Sequence, residues 1–409
     1  MAIFQLNNFF FFCVAFCYLL LFVQCVSFQL QNHLHESMIQ TTKILILLLL
    51  LLHTPPATSA GSCIAGFTGS NCDILTVNNS NFPCGSGGSC ILNTSTWGGG
   101  VAFDTLSNQY HMYSALISKG CTLDQWLTNS LIMHSISESP HPEGPYTPVD
   151  IAIGQRENFW DSLTLHNPTI ARDPVDGTWL LYYIGNNPSN ETKSVDCGGG
   201  DPVPVRADQL PVETLSQRIG LATSKSPSGP WLRRDTPVLD PGQANSWDDL
   251  FVTNPSIHVF SNGSVLMLYK GRSEENQDAM STGVAFADHW SQEKYERKSD
   301  TPLNLPSNCE DGGFFWDNVG KMFRMVLHCG CYYQYMHSDD GLSWESETEQ
   351  VYWCDVSFVD GERASLLRRE RPQWLFGKDG TMPTHLITAV EGDEKIHEGL
   401  TFTMITRLD

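Results

Sequence analysis

Basic residues are scarce in this chain. Its 409 residues include 24 lysines and arginines against 45 aspartates and glutamates, which gives a formal net charge of −21. This acidic balance argues against nucleic acids and anionic membrane surfaces as partners, because both carry negative charge themselves. It is compatible with neutral ligands such as sugars.

Long amphipathic helical patterns are absent after residue 60, which indicates an all-β body. Charged residues make up only 17% of the chain, while aromatic residues reach 11%. That composition is typical of a large, loop-rich globular body and excludes a disordered chain.

Recognisable metal-binding motifs are missing as well. Cys329-Gly330-Cys331 has neither a second cysteine pair nor a histidine cluster to accompany it, so disulfides are the better interpretation. No ligand run of the EF-hand type is present. We therefore predict no metal centre and no cofactor.

Two apolar runs lie within the first 60 residues. Phe9–Phe28 is long enough to span a bilayer, whereas Ile44–Leu52 is too short. The second run has a basic residue before it and small residues after it, in the order of a secretory signal. We favour a signal peptide at residues 38–60, with 1–37 as an extension upstream of the true start. The alternative is that the first run is a signal anchor that tethers the protein to a membrane.

Both interpretations place the body of the protein outside the cytosol, secreted or anchored. Ten cysteines follow residue 60, an even number that fits a disulfide set whose pairing the sequence cannot give: Cys63, Cys72, Cys84, Cys90, Cys121, Cys197, Cys309, Cys329, Cys331 and Cys354. Four Asn-x-Ser/Thr sequences, which are acceptors for N-glycans, also occur: Asn78, Asn93, Asn190 and Asn262.

Residues 61–95 are small and polar and contain four of these cysteines. Gly66–Cys72 resembles the closing turn of an epidermal-growth-factor-like module, but the Cys-x-Cys expected before it is missing. We expect a disulfide-stapled lead-in, or a fragment of such a module, in front of a single domain at 96–409.

From Trp97 onward a hairpin pattern recurs five times. Each copy has an apolar strand with a polar opening, a turn, and a second strand with short β-branched or aromatic runs. A third and a short outer strand follow in most copies, so each copy predicts a four-stranded unit. The first strands are predicted at Gly98–Asp104, His166–Arg172, Thr253–Val259, Cys309–Asp317 and Arg369–Phe376.

Five four-stranded units predict a five-bladed β-propeller. A single blade is apolar on both faces, and stacking in a ring buries both faces while leaving only short edges. The innermost strand of each blade opens at the axis, so its opening residue faces a central funnel. A double-sheet sandwich is the alternative, but it would not explain why polar residues recur at the same place in each repeat.

The His166-Asn167-Pro168-Thr169-Ile170 unit, the Ser-Pro-Ser-Gly-Pro-Trp turn and the Glu310-Asp311-Gly312-Gly313 stretch resemble the five-bladed propeller glycosidases. This is the arabinanase, levansucrase and invertase superfamily, which includes glycoside hydrolase family 43. The resemblance covers about residues 97–409. It implies three funnel carboxylates: an aspartate base, an orienting aspartate and a glutamate acid. A structural calcium ion on the axis is compatible with such a fold.

Glu310 opens an inner strand as the acid of that family does, so we expect Glu310 to be the acid. The base is harder to locate, because the first blade opens with Gly98-Gly99-Gly100 and the second with His166, where the family has Asp-Pro. The candidates are ranked Asp249, Asp161 and Asp104. The structural alternative is that such carboxylates cap turns or pair with arginines.

Eight further residues are predicted to bind substrate, because they open strands or offer an aromatic face to a sugar ring: Trp97, His166, Asn167, Asn254, Asp311, Trp316, Glu370 and Arg371. The arginines at the start of the fifth blade indicate either an acidic sugar or a buried network that neutralises nearby acids.

We expect a secreted glycoside hydrolase-like protein that cleaves a poly- or oligosaccharide by carboxylate acid/base catalysis. The alternative is a non-catalytic carbohydrate-binding propeller, and a second alternative is an extracellular propeller that binds protein. We expect the protein to be a monomer that binds carbohydrate. We expect no nucleic-acid partner, and no membrane contact apart from the alternative N-terminal anchor.

Overall fold

The structure is a computed structural model that describes residues 94–187, 194–198, 217–276, 280–357, 363–378, 380, 382–392 and 401–408, with strand segments at 67–68, 74–75, 77–78 and 88–89. The chain divides into two compact units, 1–62 and 63–409, and all described residues belong to the second. The predicted signal or anchor at 1–60 therefore lies outside the described residues. Within them, no helix is long and apolar enough to cross a bilayer.

Blades 1 to 4 are four-stranded antiparallel sheets formed by strands that follow one another in the chain. Blade 1 consists of β5 (Thr96–Asp104), β6 (Gln109–Ile117), β7 (Ser130–Ser137) and β8 (Tyr146–Ile153). Blade 2 consists of β9 (Thr164–Arg172), β10 (Trp179–Asn186), β11 (Arg218–Ser224) and β12 (Leu232–Arg233). Blade 3 consists of β13 (Phe251–Val259), β14 (Val265–Arg272), β15 (Ser281–Ala287) and β16 (Glu296–Arg297). Blade 4 consists of β17 (Glu310–Asp317), β18 (Met322–Cys329), β19 (Tyr332–Ser338) and β20 (Glu345–Trp353).

Blade 5 combines strands from both sides of the repeat. Its first three strands are β23 (Arg368–Phe376), β24 (Pro383–Glu391) and β25 (Thr401–Leu408). The lead-in supplies the fourth, β3 (Val77–Asn78), and β4 (Gly88–Ser89) pairs with β25 as well. Strands β3 and β4 come before blade 1 in the chain, yet they complete blade 5, which is the neighbour of blade 1 in the ring.

The remaining described elements are short. Strands β1 (Phe67–Thr68) and β2 (Ile74–Leu75) pair in the lead-in, and β21 (Asp355–Ser357) pairs with β22 (Arg363–Ser365) between blades 4 and 5. The helices are a 3-10 turn at Leu123–Gln125 and α1 at Trp126–Asn129. The predicted all-β, five-bladed propeller is confirmed.

The core consists mainly of layers between neighbouring blades. One buried cluster joins Tyr182 of blade 2 to Met267 of blade 3, and another joins Phe315 of blade 4 to Leu386 of blade 5. A third joins Met112 of blade 1 to Ile387 of blade 5 and so closes the ring. Burying a large apolar side chain stabilises a fold by about 1.5–3 kcal/mol, so these layers hold the blades together.

Three disulfides occur among the described residues: Cys121–Cys197, Cys309–Cys329 and Cys331–Cys354. The disulfide interpretation of the Cys329-Gly330-Cys331 stretch is confirmed, although these two cysteines pair with others and not with each other. Disulfides are typical of proteins that mature in an oxidising compartment. Cys63, Cys72, Cys84 and Cys90 lie outside the described residues.

Every inner strand carries a register shift near its start. At each shift one residue adopts a left-handed backbone with φ between 46° and 58°: Gly98, Asn167, Asn254, Asp311 and Arg371. Asparagine, aspartate and glycine tolerate this conformation best, and a glycine or proline follows each of the five. The bulges turn the strand openings toward the axis.

Candidate functional site

A cavity of about 740 Å³ lies at the openings of the inner strands. All five blades contribute to its lining, and α1 and the turn before it add one wall. Seven of the eight predicted substrate-binding residues line it, together with Glu310: Trp97, His166, Asn167, Asn254, Asp311, Glu370 and Arg371. The cavity is called the funnel below.

The five left-handed residues, here called the hub ring, meet around the axis. Asn167 Nδ2 donates to Asn254 Oδ1 at 2.7 Å, and Asn254 Nδ2 donates to Asp311 Oδ1 at 2.7 Å. Arg371 Nη1 donates to the same Asp311 oxygen at 3.2 Å. Gly98 fills the remaining place, where an added Cβ would lie 3.4 Å from Asn167 Oδ1. The predicted polar openings therefore form one hydrogen-bonded chain across four blades.

The residue before each hub-ring member forms a second ring, here called the opening ring. It consists of Trp97, His166, Thr253, Glu310 and Glu370, and all five line the funnel. The two glutamates are on adjacent blades, while Trp97 and His166 lie on the other side of the ring. The funnel thus carries its two opening-ring carboxyl groups on blades 4 and 5, beside Arg368 and Arg371, and its aromatic residues on the side of blades 1 and 2.

Asp311 is held as a carboxylate by two cations. Its side chain is 3% exposed, and Lys270 Nζ lies 3.4 Å and Arg371 Nη1 3.2 Å from Oδ1. Burial alone would raise the pKa of Asp311, but Lys270 and Arg371 outweigh it and hold the pKa below its ordinary value. Asp311 is therefore a fixed negative charge and accepts hydrogen bonds within the hub ring.

Lys270 extends from β14, where its backbone is paired with Thr253. Its ammonium donates a hydrogen bond to Glu310 as well as lying near Asp311. Burial would lower the pKa of Lys270, but Asp311 and Glu310 reverse this and raise the pKa above its ordinary value. The buried ammonium is therefore charged.

Glu310 is the more open of the two funnel acids on blade 4. Its side chain is 33% exposed, accepts the Lys270 hydrogen bond through Oε2, and places Oε1 3.7 Å from His328 Nδ1. Accepting from an ammonium is the role of an ionised carboxylate. Glu310 can therefore act as a base, nucleophile or charge stabiliser.

Glu370 differs in its surroundings. Burial raises the pKa of Glu370, and Arg368, whose Nε lies 3.2 Å from Oε1, opposes the rise only in part. A carboxyl group with a raised pKa keeps its proton closer to neutral pH, as a general acid requires. The funnel thus brings together two glutamates in contrasting environments.

His166 and two tryptophans line the aromatic side. His166 Nδ1 lies 2.7 Å from Ser130 Oγ, and its ring stacks on Trp126 at 4.8 Å between centroids. Burial, and next the charge of Arg371, lower the pKa of His166 to about 3, so the imidazole is neutral. Trp97 is 4% exposed and packs under the Arg368 guanidinium at 5.7 Å. Of the three aromatic side chains, Trp126 is the partly exposed one and can offer a face to a sugar ring.

Asp161 does not line the funnel. It is fully buried before β9, where it accepts from Tyr183 Oη at 2.7 Å and from Arg156 Nε at 2.7 Å. Asp248, before β13, accepts from Tyr269 Oη and from Arg297 of the outer strand β16, as Asp161 does from Tyr183 and from Arg233 of the outer strand β12. The repeated Trp-Asp segment is therefore a structural element that fixes each rim loop to its blade.

Asp249, Asp104 and Trp316 also lie away from the funnel lining. Asp249 accepts backbone N–H groups from Asn245 and Glu274, at 2.7 and 2.8 Å, and so caps a rim loop. Asp104 ends β5 and caps the following turn through Leu106 and Ser107. Trp316 packs edge-on against Phe323 in the layer between blades 3 and 4. None of the three ranked base candidates thus lines the funnel, whereas Glu370, predicted to bind substrate, does.

Several lining residues were not predicted from the sequence. They are Asp124, Lys270 and Arg272, with the apolar Leu123, Leu127, Phe251 and Met280, and Gln217. The sequence carried one signal for them, because Lys270 follows the apolar run Val265–Tyr269 and its charge therefore needs a buried partner. Thr253 and Arg368, which the repeat pattern puts at the openings of the third and fifth blades, line the funnel as well, as does Trp126, a candidate for stacking on a sugar ring.

No protein-family model matches the sequence, and no curated protein matches it. Solved structures do match. One is Zg3597, a family 117 glycoside hydrolase of the marine bacterium Zobellia galactanivorans, with a TM-score of 0.53, 16% identity, and coverage of 85% of this chain and 92% of that one. Another is a thermostable family-43 glycoside hydrolase, with a TM-score of 0.52, 14% identity and coverage of 77% and 89%. At these identities the likeness concerns the fold: this chain folds as the β-propellers of glycoside hydrolases do.

Proposed function

We propose that this protein is a glycoside hydrolase that acts on a poly- or oligosaccharide outside the cytosol. The observation that carries the proposal is the placement of Glu310 and Glu370. They occupy the same opening-ring position on adjacent inner strands, and both line the funnel. Glycoside hydrolysis requires two carboxyl groups around one bond, one protonated and one ionised.

The surroundings of the two glutamates assign their roles. Glu370, whose pKa burial raises, donates its proton to the leaving oxygen. Glu310, hydrogen-bonded by Lys270, is the carboxylate that activates water or attacks the sugar. This assignment replaces the expectation that Glu310 is the acid, and it dispenses with an aspartate base. Trp126, which is partly exposed and lines the funnel, supplies stacking surface on the side of blades 1 and 2.

A second candidate function is carbohydrate binding without catalysis. The observation that favours it is the opening of blade 1, where Trp97 and Gly98 stand in place of an acidic residue. Two tryptophans and a neutral histidine line the funnel beside that opening. Such a surface would bind sugars by stacking even if no bond were cleaved.

Purified protein incubated with a panel of polysaccharides and aryl glycosides tests the proposal. Glu310→Gln and Glu370→Gln are each expected to reduce sugar release per folded molecule by roughly a hundredfold or more, and Glu310→Gln should also lower the thermal midpoint because it leaves Lys270 with one carboxylate fewer. Asp249→Asn is the matched control, because it removes a carboxylate outside the funnel, and it should retain activity. Wild-type binding without turnover on the panel would favour the second candidate. Full activity in both glutamine variants would refute the proposal.

A further inference from the structure

Three potential metal ligands converge beside the hub ring. One ligand atom each of Glu310, Asp311 and His328 lies within 4.8 Å of the others. Among the described residues, His328 Nδ1 is buried without a hydrogen bond, and it lies 3.7 Å from Glu310 Oε1. Two carboxylates and an imidazole form a donor set suited to a divalent ion such as Mn²⁺, less so to calcium, which prefers oxygen ligands only.

A cation already lies in this donor set. The Lys270 ammonium donates to Glu310 and lies 3.4 Å from Asp311 Oδ1, with its side chain 7% exposed. An ammonium is a compact point charge with three donors, which fits a position between two carboxylates. Its backbone is paired with Thr253 of β13 on one side and Thr282 of β15 on the other, so the ammonium reaches the site from the interior of the sheet.

The charges around this position sum to zero. Glu310 and Asp311 contribute two negative charges, and Lys270 and Arg371 contribute two positive ones. A divalent ion added to this group would leave two positive charges unbalanced in a largely buried site, which is strongly unfavourable. The residues present therefore do not fit the calcium ion that is compatible with the fold.

We propose that Lys270 is the resident cation of the funnel, held where a metal ion would otherwise bind Glu310, Asp311 and His328. It neutralises both carboxylates permanently and makes the site independent of divalent metal. Replacing it with an uncharged side chain that ends one atom short of the ammonium converts the cluster into a metal site. This inference goes beyond the proposed function, because it concerns binding and holds whether or not the funnel cleaves sugars.

Calorimetric titration with Mn²⁺ tests the inference on wild type and on Lys270→Met, which preserves an unbranched apolar side chain. Wild type is expected to show no saturable site that depends on Glu310. Lys270→Met is expected to bind one Mn²⁺ per chain, and Lys270→Met combined with Glu310→Gln should lose that binding. Arg272→Met is the matched control, because it removes another funnel cation carried by the same strand.

Two results would overturn the inference. One is a folded Lys270→Met variant that gains no Mn²⁺ binding, with folding judged by near-ultraviolet circular dichroism. The other is wild-type protein that binds Ca²⁺ or Mn²⁺ stoichiometrically and loses that binding on Glu310→Gln. If Lys270→Met does not fold, the thermal midpoint of the wild-type protein is measured with and without a chelator. Equal midpoints support the inference. A midpoint that the chelator lowers in wild type but not in Glu310→Gln contradicts it. None of these readouts uses turnover, so they stand apart from the test of hydrolysis.

Discussion

Asn254 of blade 3 donates a hydrogen bond of 2.7 Å to Asp311 of blade 4, and both residues have a left-handed backbone. The bond joins two blades at the axis and occupies one acceptor position of a carboxylate that Lys270 and Arg371 also contact. The funnel is therefore built on polar contacts between blades, whereas the layers beyond it are apolar.

Asn254→Gly and Asn254→Ala both remove the hydrogen bond to Asp311, and only alanine opposes the left-handed conformation. We expect the glycine variant to lose about 1–3 kcal/mol of unfolding free energy, because a buried charged acceptor loses a donor. The alanine variant should lose roughly 1–2 kcal/mol more through backbone strain. Denaturant titration measures both values. Equal stability of the two variants would show that the bulge geometry is not strained at this position.

The hub ring predicts a loss of stability in acid. The folded-state pKa of Asp311 lies below that of the unfolded chain, so its stabilisation is complete above the ordinary value near 4 and is lost as the pH falls through the folded pKa. Lys270 has a raised pKa, so its contribution is complete at neutral pH and is lost only in strong alkali. The stability difference between wild type and Asp311→Asn should therefore be constant near neutrality and shrink below about pH 4. A difference that does not vary with pH would contradict the ion-pair assignment.

A buried histidine pair in blade 1 predicts a second pH dependence. His111 Nδ1 lies 2.9 Å from His134 Nε2, with Asp150 3.4 Å from His134 Nδ1. Burial, and next the neighbouring ring of His134, lower the pKa of His111 to about 4; burial also lowers the pKa of His134. The unfolded chain therefore binds more protons between about pH 4 and 6.5, and stability falls as the pH decreases through that window.

His111→Gln should weaken this dependence, because glutamine does not titrate and retains a polar side chain. Thermal midpoints measured between pH 4 and 7 should fall less steeply in the variant than in wild type, in the range where His111 titrates. His141→Gln serves as the control, since that histidine is exposed. Identical slopes in all three proteins would assign the acid sensitivity to other groups.

Asp161 is predicted to support stability and not catalysis. Asp161→Asn leaves Arg156 and Arg233 with a neutral partner, so we expect a loss of about 3 kcal/mol of unfolding free energy. Sugar release per folded molecule should be unchanged. Asp235→Asn is the control, because Asp235 is an exposed partner of the same Arg156, and it should cost less than about 1 kcal/mol. Loss of turnover in a fully folded Asp161→Asn protein would return Asp161 to the list of catalytic candidates.

The pH dependence of hydrolysis tests the role of Glu370. If Glu370 is the acid, activity on natural glycosides should decline as the pH rises above the raised pKa of Glu370. Aryl glycosides with a strongly acidic phenol need no protonation of the leaving oxygen, so this alkaline decline should be absent with them. Glu370→Ala should retain most of its activity on such substrates and little on natural ones. An alkaline decline on both substrate types would point to another group.

Sequence reasoning located the strands and most of the funnel, because both follow from the repeat. A strand opening at the axis of a propeller must face the funnel, which is why Glu310, His166 and Arg371 were predicted to line it. The chemical signals at these positions were strong, since polar residues open strands that are otherwise apolar. Their roles in catalysis and binding remain predictions.

The three base candidates ranked from the sequence lie away from the funnel, for a physical reason. Asp161 and Asp249 precede inner strands, and a carboxylate there can face either the funnel or the blade. Only the positions of Tyr183 and Arg156 show that Asp161 faces the blade. Lys270 was missed because it reaches the funnel from a second strand, and its partners lie 40 residues away in the next blade.

The pairing of β3 with β25 has a consequence for biosynthesis. Blade 5 is complete only when segments separated by more than 300 residues meet, and β25 must leave the ribosome before β3 has a partner. Blades 1 to 4 can form one after another during translation, whereas the ring of blades cannot close until β25 pairs with β3. Deleting β25 would therefore leave β24 with an unpaired edge and β3 without a partner, so that the ring of blades could not close. Chaperones and proteases would be expected to recognise such an incomplete fold.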